Sequence, residues 1–221
     1  MHGFYISVLQ RPPNGREKIG SSREGLTGGS EDGEEAIGAR CRQRFVAHDP
    51  PGPLDFCPRA AVPQITFSDQ MTIELGSTVL ELSYVGRNHS DNSIVMRFPK
   101  ERVLFAVDFI PVESVAFRDF PDAYIEDWID SLQRVELMDF DILAPGHGPQ
   151  GQKEHVYMFR EYMQDLHGAV LQYTREGKSL EEMKTLIKLP KYEKWASYQQ
   201  WFPLNIEGMY RHVQLHRLQN P

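Results

Sequence analysis

Three short apolar runs in this chain each end on a polar residue that could act as a donor, and that repetition constrains the fold more than any other feature. VLELSYVG leads to Asn88 and His89, RVLFAV leads to Asp108, and DILAPG leads to His147. Short runs of this kind, rich in β-branched and aromatic residues, read as buried strands. A sheet fixes the backbone at a strand end while the loop beyond opens to solvent, which is where rigid but accessible side chains are built. Two imidazoles and a carboxylate are ligand types that zinc accepts, and a catalytic zinc keeps a further position for water. Taken singly, each of these residues is as readily structural or solvated. Their shared position makes His89, Asp108 and His147 the candidate metal ligands; no residue is assigned a catalytic role.

The surrounding chain divides in two. Residues 1–61 contain SSREGLTGGSEDGEEAIGAR and PPGPLDFCPRAAVP, rich in Gly, Ser, Pro and charge. Such composition buries too little surface to offset ordering entropy, so a poorly structured or atypical segment is expected. It is also what an out-of-frame or mis-started coding region would yield, which translation of the upstream frames would test. His2 and His48 fall here and read as solvated.

From residue 62 the texture changes to a folded domain reaching residue 221. VPQITF, MTIEL, VLELSYV, SIVMRF and RVLFAV read as successive strands, the last two antiparallel across Pro99-Lys100-Glu101. After Asp122, an expected helix cap, Tyr124, Trp128, Leu132 and Val135 recur at helical spacing. DILA is a further strand. Val156 to Tyr173 keep a three-four spacing that Gly177 stops. Ser179 and Glu182 form a capping box, and Asn205 is expected to cap a last helix. Strands first and helices gathered late give an α/β or α+β layered fold with a helical C-terminal part.

Bulk properties exclude several classes. A formal net charge of −7 over 221 residues forces no large basic patch, which argues against a nucleic-acid partner. No apolar run of 18 residues exists, so no membrane span is expected. The start, MHGFYISVLQRPP, lacks a basic n-region and a long apolar core, which points to a cytoplasmic location. Cys41 and Cys57 read as reduced bystanders. His155 and His167 lie on an expected surface helix, and His212 and His216 stand four apart on the last one. Oligomeric state is not legible.

The ordered motifs GRNHSDNS, FPKERVLFAVD and FDILAPGHG resemble the second half of the metallo-β-lactamase superfamily. The resemblance runs from about Val62 to the C-terminus. It implies a partial αβ/βα sandwich, zinc as cofactor, and His89, Asp108 and His147 as ligands, with Asp108 in the bridging position. It implies hydrolysis of an ester, thioester or lactam-type bond in a small-molecule substrate by zinc-activated water. The family's first motif, His-x-His-x-Asp-His, is absent from the 221 residues. An impaired hydrolase is therefore expected. The alternative is a non-catalytic or truncated member of the fold, acting at most as a binding scaffold. An unrelated α/β binding module ranks last.

Overall fold

The computed structural model describes residue 65 and residues 67–219, with side chains to residue 215. The chain divides into two units, Met1–Gln70 and Met71–Pro221. Almost all of the first lies outside the described residues, including His2, His48, both cysteines and most of the strand expected at 62–67.

The second unit is a mixed α/β layer. Six strands lie side by side in chain order: β1 (Gln70–Leu75), β2 (Thr78–Tyr84), β3 (Ile94–Phe98), β4 (Val103–Ala106), β5 (Ile142–Pro145) and β6 (Gly151–Gln152). β2, β3 and β4 pair antiparallel, as a meander with short turns must. β5 joins β4 in parallel, because α1 (Ile125–Glu136) crosses over between them. At the start of that parallel pair the Arg102 guanidinium bonds both Asp139 and Asp141, and the Arg102 carbonyl accepts from the backbone N–H groups of Asp141 and Ile142.

α2 (Lys153–Arg175), α3 (Leu180–Leu186) and α4 (Tyr198–Gln219) follow, with a 3-10 turn at Pro190–Tyr192. Register explains which sheet face they cover. Val95 stands opposite Ala106, and Leu104 beside Leu143, so these side chains share a face. All four are essentially fully buried in one core with Leu132, Phe159, Met163, Leu166 and Ile206 of the helices. Each of these side chains other than Ala106 contributes about 1.5–3 kcal/mol relative to exposure. The opposite face carries Leu82, Met96 and Phe105; Leu82 is fully buried and the other two are half-buried.

Two expected caps are corrected. α1 begins after Tyr124, with no side-chain cap, so Asp122 does not cap it. Tyr124 N–H instead donates to the carbonyl of Asn88, 2.9 Å away, which ties the helix start to the loop after β2. α4 begins at Tyr198 and runs through Pro203, which leaves Asn205 inside the helix and fully buried. Its amide is committed elsewhere, as described below. The Ser179–Glu182 box forms as expected, and Gly177 takes a left-handed φ of +74° just past the end of α2.

Candidate metal centre

The three sequence-picked residues sit in three loops along one edge of the sheet: His89 after β2, Asp108 after β4 and His147 after β5. Gly86 and Gly148 turn the backbone beside them at φ +107° and +92°, values that favour glycine.

His89 is held by its own loop. The fully buried Asn88 donates its side-chain amide to the Gly86 carbonyl and presents Oδ1 to His89 Nδ1 at 2.8 Å. An amide oxygen only accepts, so Nδ1 carries the proton and Nε2 the lone pair. Ser93 Oγ lies 3.3 Å from the same nitrogen and is itself paired with Ser90. Burial pushes the imidazole pKa below its ordinary value, and the Asp108 charge opposes this more weakly. The ring is stacked with Phe109 at 6.4 Å and tilted against Trp128 at 6.1 Å.

Asp108 occupies a strained turn. Its φ is +43°, and Phe109 N–H donates to the Val107 carbonyl at 2.5 Å, closing a three-residue γ-turn with Asp108 at its centre. This geometry is rare for a residue with a side chain and costs on the order of 1–3 kcal/mol. The turn aims the carboxylate at the loop after β5. There Asp108 Oδ1 accepts from His147 Nδ1 at 2.6 Å, on an imidazole that is 87% exposed.

Asp108 and His147 are thus in direct contact, and His89 lies close enough to Asp108 to feel its charge. Their chemistry suits zinc, with Asp108 Oδ1 and His147 Nδ1 excepted, because those two atoms are bonded to each other. A tetrahedral zinc bound to both Oδ1 and Nδ1 would hold those atoms about 3.4 Å apart. At 2.6 Å they are bonded to each other instead, with the carboxylate orienting the ring. Among the described residues, no three His, Cys, Asp or Glu side chains are grouped so as to hold a metal ion.

Sequence reasoning missed two supporting residues. Trp128 reads as one position in an apolar helical stripe, which it is, but its indole N–H also donates to the Phe109 carbonyl at 2.9 Å. Asn205 donates to the carbonyls of Ala116 and Arg118 at 2.9 and 2.5 Å and accepts from Tyr162 Oη at 2.5 Å. It pins a loop in which Glu113, Arg118 and Phe120 all have positive φ. The stretches 112–120 and 192–202 meet through a Ser114–Ala196 bridge and a Phe117–Trp201 edge contact. Most of their apolar side chains are buried, while Phe117 stays exposed. His212 bonds Glu126; the side chain of His216 lies outside the described residues.

No helix among the described residues is long and apolar enough to cross a membrane. The fold is similar to that of an inverting sec-alkylsulfatase from Pseudomonas sp., with a TM-score of 0.56 at 14% identity, covering 72% of this chain and 29% of that one. Among curated proteins, the chain is 28% identical over 96 residues to a metallo-beta-lactamase type 2 of Bacteroides fragilis. That alignment covers 42% of this chain and 39% of the relative. The chain is also 27% identical over 79 residues to the 2,4-dinitroanisole O-demethylase subunit alpha of Nocardioides sp. (strain JS1661), covering 36% of this chain and 24% of that protein. It therefore spans about two fifths or less of these relatives. The metallo-beta-lactamase superfamily model matches residues 23–147, more than half of the chain and starting upstream of the texture change at residue 62. The chain belongs to the metallo-beta-lactamase superfamily.

Proposed function

We propose that this chain is a metallo-β-lactamase-type hydrolase with an impaired metal centre. On this reading residues 62–221 are the C-terminal portion of the domain, and residues 1–61 are an atypical segment. His89, Asp108 and His147 are the ligands kept from the family's set, and zinc is held weakly. The substrate is a small molecule with an ester, thioester or lactam-type bond, hydrolysed slowly.

The observation that carries the proposal is the 2.6 Å contact between Asp108 Oδ1 and His147 Nδ1. Each candidate ligand spends one atom on the other, which leaves Asp108 Oδ2, His147 Nε2 and His89 Nε2 as the atoms that could face a metal. The absence of His-x-His-x-Asp-His from the sequence supports the same reading. The second reading, a non-catalytic binding scaffold, draws on the same contact and differs only in turnover.

The test is reconstitution of purified protein with zinc, removal of the excess, and assay on chromogenic lactam, thioester and ester substrates. Weak hydrolysis that falls in His147→Ala is expected. No turnover above background leaves the scaffold reading, and vigorous zinc-dependent turnover overturns the impairment.

A further inference from the structure

We infer that Trp128 is the positioning residue of this site: one buried side chain fixes both the His89 ring and the turn that presents Asp108. The inference rests on the reading of His89, Asp108 and His147 as the functional residues.

Trp128 is 3% exposed and lies on the first turn of α1. An indole has a single N–H donor, and here it goes to the carbonyl of Phe109, the residue directly after Asp108. The N–H of Phe109 closes the γ-turn from one side, and its carbonyl is held by Trp128 from the other. Phe109 is fully buried, so without the indole that carbonyl would lose this partner where water is scarce. The indole ring also lies against the His89 imidazole, whose other neighbour is the Phe109 ring. A shift of Trp128 therefore moves His89 and Asp108 together. The consequence reaches His147, because the Asp108 carboxylate is what holds the proton on His147 Nδ1. A free neutral imidazole favours the other tautomer, so the tautomer of His147 reports whether the Asp108 turn is correctly aimed.

The experiment uses metal-free protein with ¹⁵N-labelled histidine, at a pH well above the ordinary imidazole value of about 6.5. In the wild type, His89 and His147 are both expected as the Nδ1–H form. Asp108→Ala gives the reference for loss of the acceptor at His147. Trp128→Phe keeps a ring and removes the donor. It is expected to move the His147 tautomer ratio toward Nε2–H by about threefold or more, the scale of one hydrogen bond's net contribution, with native sheet signals retained. Should that variant fail to fold, 3-benzothienylalanine at position 128 keeps the indole shape, removes only the N–H, and carries the same expectation. A folded variant with an unchanged His147 tautomer overturns the inference and leaves Trp128 a core residue. The tautomer is read without metal or substrate, so this inference and the functional reading fail on separate measurements.

Discussion

The carboxylate of Asp108 lies where a side chain at Gly146 would begin. A Cβ built on Gly146 overlaps Asp108 Oδ1 and comes within 3.1 Å of the Asp108 backbone nitrogen. The φ of Gly146 is not in the left-handed region, and its role is to let Asp108 approach and reach His147.

Gly146→Ala should therefore act locally. Asp108 is short and half-exposed, so its carboxylate can swing aside, while the backbone contact must give by a few tenths of an ångström. A stability loss of roughly 1 kcal/mol is expected. The diagnostic effect is loss of the His147 Nδ1–H signal, checked by ¹⁵N spectroscopy beside urea denaturation.

The buried amide of Asn205 should matter more. Asn205→Ala strands two carbonyls and the Tyr162 hydroxyl, at a cost of about 2–4 kcal/mol. Tyr162→Phe removes one partner and should cost about 1 kcal/mol. Gly208, one turn along α4, packs directly on the Asp119 carbonyl, where a Cβ would overlap backbone. Gly208→Ala is thus expected to cost about 2 kcal/mol or more, since backbone moves less readily than a side-chain tip. Chemical denaturation orders the three.

The cap of α3 sets an acid-side dependence. The Ser179 backbone N–H, then its hydroxyl and Lys178, hold the Glu182 carboxyl down at about 2, against an ordinary 4.5. Its folded value lies below its unfolded one, so between them the unfolded chain binds more protons. The stabilisation is complete above the unfolded value and is lost as pH falls from about 4.5 toward 2. Glu182→Gln should flatten stability across that window, measured by denaturation at stepped pH. Ser179→Ala should cost roughly 0.5–2 kcal/mol at neutral pH.

Much of the second unit is legible in the sequence because its signals are local. Alternation in MTIEL and VLELSYV, the three-four spacing after Val156 and the Ser179–Glu182 box each lie within a few residues. The corrected caps fail for a non-local reason. Asn205 looks like a cap residue, but its amide is spent on carbonyls nearly ninety residues away in sequence. Tyr124 takes the start of α1 because its N–H is claimed by Asn88. The site was legible as three residue types at three strand ends. Its internal bonding was not, since the γ-turn at Asp108 and the indole behind it follow from packing between α1 and the sheet.

Zinc retained per chain, by elemental analysis after reconstitution and gel filtration, tests the incomplete centre most directly. Well below one zinc per chain is expected in the wild type once excess metal is removed, and less still in the His89→Ala, Asp108→Ala, His147→Ala triple variant. One or two zinc ions held by the wild type and lost from the triple variant would contradict it.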